Sequence, residues 1–136
     1  MWIQTASDRC DLDAFLQQEY SDDFYKTVQQ TIISWQSQEY VEFKSSGSTG
    51  APKLFKFHKN IVQQSVAATL QHLGIQPSDG VFLVTLHPQY TGGRMMVLRA
   101  MENRANMVLI PPSADWIGML PSHIENIDLC ALTPMQ

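Results

Sequence analysis

This chain has few cysteines, no long apolar run and no net positive charge. Its 136 residues include two cysteines, and the formal net charge is −4. Without a global positive field, nucleic acid and anionic lipid are not expected as partners. The longest apolar run, residues 81–84, is far shorter than the roughly 20 residues that span a bilayer. The first nine residues also lack the basic and apolar regions of a secretory signal. We therefore expect a cytoplasmic protein that binds no membrane and no nucleic acid.

The cysteines and histidines lack the spacing of metal or redox sites. Cys10 and Cys130 lie far apart in sequence, which predicts two free thiols in a reducing compartment. None of the four histidines forms an HxH or HExxH pattern. The sequence therefore predicts no metal-binding residue in this chain.

The residues that are present predict a folded α/β protein. Hydrophobic residues make up 44% of the chain and aromatic residues 10%, too much for intrinsic disorder. Helices are predicted from Asp11 or Asp13 to Tyr20 and from Ser21–Asp23 onward, the second with an apolar stripe at Phe24, Val28, Ile32 and Trp35. Strands are predicted at 41–44, 54–57, 81–86, 107–110 and 129–132, and further helices at 59–73, about 94–103 and, weakly, after Pro121. This alternation predicts a partly parallel sheet in one domain, since no linker divides the chain.

The most specific pattern is the loop Ser45–Lys53, which reads SSGSTGAPK. Its two glycines let the backbone approach a ligand closely. Successive backbone N–H groups can then converge on an anion, while four hydroxyls add donors and Lys53 adds a point charge. These groups suit the terminal phosphates of a nucleotide.

Three better-known motifs do not fit this loop. A Walker A loop would need glycine where Pro52 stands and a hydroxyl where Leu54 stands. The G-x-S-x-G elbow of hydrolases fails because Gly47 and Gly50 are too close together. The dinucleotide motif G-x-G-x-x-G lacks its first glycine. The segment is therefore interpreted as a glycine- and hydroxyl-rich loop between two strands.

The loop resembles the phosphate-binding loop of the adenylate-forming superfamily, which includes acyl-CoA synthetases, luciferases and peptide-synthetase adenylation domains. That loop reads [ST]-S-G-[ST]-T-G-x-P-K, and Leu54 departs from the glycine that usually follows. His58, Asn60 and Ile61 match the family's H-x-N-[LIV] pattern at the next helix. The resemblance implies ATP with Mg²⁺, and Lys53 as the residue that stabilises phosphate charge during catalysis. It also implies a set of ATP-phosphate-binding residues: Ser45, Ser46, Gly47, Ser48, Thr49, Gly50 and Lys53.

A second region, residues 90–96, resembles the short o-succinylbenzoate–CoA ligases of menaquinone synthesis. With Gly93 kept in register, Tyr90 stands where many relatives have histidine. The resemblance implies an acid-substrate pocket formed by Tyr90, Gly92, Gly93 and Arg94. In the alternative interpretation, Arg94 and Arg99 are exposed helix residues and the neighbouring methionines fill the core.

The resemblance also implies an architecture and an activity. Residues 1–136 would be the N-terminal part of an AMP-binding domain with a mixed sheet flanked by helices: a helical lead-in at 1–40, the strand–phosphate loop–strand unit at 41–57 and an α/β segment at 58–136. The complete enzyme would convert a carboxylic acid to an acyl adenylate with ATP and then to an acyl-CoA with CoA. The alternatives are a non-catalytic nucleotide- or phosphate-binding module, or a ligase for another aromatic or fatty acid.

The end of the sequence carries two further expectations. Family segments that bind adenine, ribose and Mg²⁺ would follow Gln136, so we expect these 136 residues alone to be inactive. The strand predicted at 129–132 has no helix after it to cover the sheet. We therefore expect the isolated chain to self-associate.

Overall fold

The structure is a computed structural model that describes residues 1–44, 53–76 and 80–134. Within these ranges the chain forms seven strands and four helices. Their bounds are β1 Trp2–Gln4, β2 Arg9–Asp11, α1 Leu12–Gln17, α2 Asp23–Ser37, β3 Tyr40–Lys44, β4 Leu54–His58, α3 Lys59–His72, β5 Val81–Val84, α4 Thr91–Asn103, β6 Asn106–Leu109 and β7 Leu129–Cys130. None of these helices is long and apolar enough to cross a membrane. Cys10 and Cys130 both carry free thiols, as predicted.

The main sheet has the strand order β2-β1-β6-β5-β7. Strands β1, β6, β5 and β7 run parallel, and β2 pairs antiparallel with β1 at the edge. Phe82, Leu83 and Val84 of β5 are fully buried, so the sheet is covered on both faces. This mixed sheet with helices packed against it confirms the α/β prediction.

Helices cover one face of the sheet. The predicted second helix is α2, and the Asp22 carboxylate caps it by accepting a hydrogen bond from the Phe24 N–H at 2.8 Å. The predicted apolar stripe of α2 is buried. Trp35 donates its indole N–H to Glu102 Oε1 at 3.0 Å, which joins α2 to α4.

Irregular turns, rather than a helix, cover the other face. Trp116, Leu120 and Ile124 pack against the buried Leu83 and Val108. The backbone bonds here, such as Leu120 N–H to Ile117 O and Ile124 N–H to Pro121 O, join residues three apart. They therefore form turns and not an α-helix, and the weak helix predicted after Pro121 is wrong.

The lead-in at 1–40 is not wholly helical, which corrects a second prediction. Strands β1 and β2 form a hairpin, closed by the bond from Thr5 N–H to Asp8 O at 2.8 Å. Ile3 is fully buried and lies opposite Met107 of β6. A strand of three residues has too few positions to show an alternating pattern, and distant β6 stabilises it.

A separate two-stranded sheet, β3–β4, carries the phosphate-loop segment. Helix α3 follows directly, and His58 Nδ1 accepts a hydrogen bond from the Asn60 N–H at 3.3 Å at its start. Gly74 follows the end of α3 with a φ of +69°, a conformation that favours glycine. Helix α4 begins at Thr91 instead of the predicted Arg94, which places Gly92 and Gly93 in its first turn.

Candidate functional site

The β3–β4 hairpin fixes the two ends of the predicted phosphate loop. Lys44 lies opposite Leu54 in the antiparallel register, so the two ends of the loop are adjacent. Lys53 directly precedes β4 and is exposed. The other predicted phosphate-binding residues lie outside the described residues: Ser45, Ser46, Gly47, Ser48, Thr49 and Gly50.

A cleft of about 550 Å³ lies at the carboxyl ends of three parallel strands. His87 lies beyond β5, Ser113 beyond β6 and Thr133 beyond β7. Tyr90 and the first turn of α4 complete the lining. The carboxyl ends of parallel strands are where open α/β sheets bind their ligands. We refer to this space as the strand-end cleft.

The first turn of α4 approaches the strand-end cleft unusually closely. Gly92 and Gly93 both line the cleft. A Cβ atom on Gly93 would lie 2.3 Å from Leu86 O and 2.5 Å from His87 O, so only glycine fits here. The side chain of Tyr90 makes no capping hydrogen bond to α4. Because the first turn of α4 lines the cleft, the positive end of the helix dipole lies beside it, which favours an anionic group there.

Arg94 lies away from the strand-end cleft, although the sequence places it in the same pocket as Tyr90. Its Nε donates to Pro88 O at 3.2 Å, and its Nη1 donates to Glu42 O. Burial lowers the pKa of the half-buried guanidinium, while the nearby Glu42 carboxylate raises it. The structure thus brings Tyr90, Gly92 and Gly93 together and uses Arg94 to join α4 to β3.

His87 also lines the cleft, although it was not among the predicted pocket residues. Its Nε2 lies 3.2 Å from Asp23 Oδ2, and its Nδ1 accepts a hydrogen bond from the Gln89 N–H at 3.2 Å. The Phe24 ring packs edge-on against it, with centroids 5.9 Å apart. These contacts fix the imidazole on one wall of the cleft. No sequence signal could pair His87 with Asp23, because they belong to distant segments.

A hydrogen bond joins the first residue of α4 to the phosphate-loop hairpin. Thr91 Oγ1 at the start of α4 donates to Lys44 O, the last residue of β3, at 3.0 Å. The start of α4 and the end of β3 are therefore neighbours in the fold, although they are distant in the sequence.

In the part of the chain that the structure describes, no group of three histidine, cysteine, aspartate or glutamate residues could hold a metal ion. None of these residues is therefore assigned to Mg²⁺.

Comparisons with known proteins point to one superfamily. A scan against protein-family models and a search of curated proteins each found no match. Among solved structures, the chain is similar to an acyl-CoA synthetase (AMP-forming)/AMP-acid ligase II-like protein from Dyadobacter fermentans. The two are 27% identical, with a TM-score of 0.75 over 88% of this chain.

This chain spans 33% of the length of the Dyadobacter protein. The likeness supports the adenylate-forming superfamily that the loop motif predicts. The α/β fold corresponds to part of an AMP-forming acid ligase domain.

Proposed function

We propose that this chain is the part of an AMP-forming acid–CoA ligase that binds the phosphates of ATP and the carboxylic acid. The loop motif at residues 45–53 and the fold shared with an acyl-CoA synthetase support the nucleotide half of this proposal. The strand-end cleft supports the acid half, because it combines an open apolar wall with a helix N-terminus.

The hydrogen bond between Thr91 and Lys44 carries the proposal. Adenylation requires a carboxylate oxygen to reach the α-phosphate of ATP, so the two substrates must bind side by side. Thr91 begins the helix that lines the strand-end cleft, and Lys44 ends the strand that leads into the phosphate loop. The contact supports the proposal because it joins the helix that lines the strand-end cleft to the strand that leads into the loop.

The chemistry assigns the chain's residues to binding and charge stabilisation. Attack of the carboxylate on the α-phosphate breaks the bond to pyrophosphate, and negative charge accumulates on the phosphate oxygens. The hydroxyls and backbone N–H groups of the loop would hold the β- and γ-phosphates with Lys53. The first turn of α4 would orient the acid carboxylate, and the protein need supply no nucleophile. Mg²⁺ would enter with ATP, and CoA would accept the acyl group.

For the acid we propose o-succinylbenzoate, an aromatic ring with two carboxylates. The likeness of residues 90–96 to the short o-succinylbenzoate–CoA ligases supports this choice. Tyr90 is 54% exposed at the cleft, where its hydroxyl can donate a hydrogen bond to a carboxylate. Gly92 and Gly93 leave room for the ring against the backbone.

Backbone amide NMR titrations of the chain test both halves of the proposal. ATP should shift the amides on both sides of the loop, Lys44 and Leu54 included, and AMP should shift them much less because it lacks the β- and γ-phosphates. o-Succinylbenzoate should shift Gly92 and Gly93. Equal effects of ATP and AMP would contradict the phosphate-loop assignment. A response to ATP with none to any acid would favour the non-catalytic nucleotide-binding module.

A further inference from the structure

A second cleft, of about 500 Å³, lies between the β3–β4 hairpin, α3 and α4, on the other side of α4 from Tyr90. We call it the phenylalanine cleft. Phe43, Phe55 and Phe57 lie on one face of the hairpin because they are separated by even numbers of residues or paired across it. Ile61 and Met95 extend the apolar wall, and Phe55 and Phe57 are each 45% exposed. The volume falls within the range of small-molecule sites.

One cation lines this apolar cleft. Thr91, Met95 and Arg99 follow one another at intervals of four along α4, so they share the helix face that lines the cleft. Arg99 is half-buried, and its Nε atom is fully buried with no hydrogen-bond partner among the described residues. Its Nη1 donates to the sulfur of Met96, at 3.8 Å, a weak acceptor. A buried donor without a partner is costly.

The nearby carboxylates have other partners. Glu102, one turn further along α4, accepts hydrogen bonds from Trp35 Nε1 at 3.0 Å and from Gln63 Nε2 at 3.2 Å. Glu42 on the hairpin pairs with Lys56 at 3.8 Å. Burial lowers the pKa of Arg99, and no neighbouring carboxylate counteracts the shift. Within the described ranges, Arg99 therefore forms no ion pair with a carboxylate.

We propose that the phenylalanine cleft binds an apolar carboxylic acid, with the carboxylate on Arg99 and the hydrocarbon part between the phenylalanine rings. The unpaired cation selects an anion, and the guanidinium fork fits a carboxylate. The apolar walls select a ligand with a hydrophobic body.

This site differs from the one proposed for the ligase reaction. Arg99 lies two turns, about 12 Å, along α4 from Thr91, which contacts the end of the phosphate-loop hairpin. In this proposal, a carboxylate on Arg99 is therefore a different group from the carboxylate that would meet ATP. The proposal stands whether or not the chain takes part in adenylation.

Titration of the chain with octanoate, without ATP, tests the proposal. Octanol is the matched probe, because it has the same chain length and no charge. The Nε–H signal of Arg99 should shift on octanoate binding, and octanol should bind about tenfold to a hundredfold more weakly. Octanoate that shifts Gly92 and Gly93 but leaves the Arg99 signal unchanged would place the acid in the strand-end cleft and overturn the proposal.

Substitutions distinguish the contribution of the Arg99 charge to octanoate binding from the contribution of apolar packing. R99Q should reduce octanoate affinity by about tenfold or more and leave octanol binding unchanged, while R99K should retain part of the affinity. R104Q changes an exposed arginine outside the cleft and should have no effect. F55A should weaken both probes. Equal octanoate affinity in folded R99Q and wild type would overturn the proposal.

Two further outcomes also decide the matter. If R99Q does not fold, the proposal is tested by the shift of the Arg99 Nε–H signal in the wild type and by the octanoate affinity of R99K. If sedimentation shows a dimer that octanoate neither enters nor dissociates, a second copy covers the cleft and the acid proposal fails. Because no nucleotide is present, failure of the proposed ligase function would leave these results unchanged.

Discussion

Gly93 lies against the carbonyl oxygen of Leu86 so closely that a Cβ atom there would be 2.3 Å from it. This contact seats the first turn of α4 on the end of β5. The contact also positions one wall of the strand-end cleft, which Gly92 and Gly93 line. A larger residue at position 93 would push the helix away from the strand.

The first prediction follows from the unequal space around the two glycines. Gly93→Ala should lower the free energy of unfolding by about 1–3 kcal/mol, because the methyl group meets rigid backbone. Gly92→Ala is the matched control, since its Cβ would meet only the flexible Leu86 side chain, at 3.2 Å. Alanine there also favours the helix, so its stability should change by about 1 kcal/mol or less. Urea denaturation measures both, and equal losses would show that the Leu86 carbonyl does not restrict position 93.

Features that depend on neighbouring residues were predictable from the sequence. The cap at Asp22, the apolar stripe of α2 and the glycine after α3 are all local signals. The phosphate-loop motif is also local, and its flanking strands are β3 and β4.

Features that depend on distant residues were not predictable. Strand β1 forms because Ile3 pairs with β6, more than a hundred residues away. Arg94 lies outside the strand-end cleft because its guanidinium donates to the carbonyl of Glu42 on another element. The burial of Arg99 Nε also depends on the packing of distant segments, which the sequence does not reveal.

The second prediction concerns Lys53. In a full-length enzyme that contains this segment, Lys53→Ala should slow ATP–pyrophosphate exchange by about 10²-fold, as the loss of one strong phosphate-stabilising group does. Lys56→Ala removes an exposed lysine of the strand that follows, β4, whose partner is Glu42 at 3.8 Å, and should leave the rate within about twofold. Thermal unfolding of both variants checks that the fold is intact. Unchanged exchange in Lys53→Ala would remove this lysine from the catalytic assignment.

The third prediction is that these 136 residues alone catalyse no ATP–pyrophosphate exchange. The chain spans 33% of the length of the matched acyl-CoA synthetase. With ATP held through its phosphates alone, we expect a Kd no better than about 1 mM. The assay uses o-succinylbenzoate, benzoate and octanoate with purified chain. Exchange above background with any of them would show that the described part of the fold suffices for adenylation.

The fourth prediction concerns alkaline pH. Burial, followed by the nearby Cys10, Tyr25 and Asp8, raises the pKa of Tyr20 from 10.0 to about 12. The folded state therefore holds the phenolic proton more tightly than the unfolded state. The resulting stability is fully present below pH 10 and is lost as the pH rises through about 12. Urea denaturation across this range should show a shallower loss for Tyr20→Phe than for the wild type. The same loss of stability with pH in both proteins would contradict the raised pKa of Tyr20.

The last prediction concerns Arg94, for which sequence and structure suggest different roles. As a contact between Pro88 O and Glu42 O, the guanidinium stabilises the junction of α4 and β3. Arg94→Ala should therefore lower the free energy of unfolding by about 1–3 kcal/mol, because two carbonyls lose their donor. Arg104→Ala, at an exposed arginine, should cost about 0.5 kcal/mol or less. If Arg94 instead bound substrate, its loss would raise the KM for o-succinylbenzoate in a full-length enzyme without changing stability. Urea denaturation and KM, measured on the same variant, distinguish the two roles.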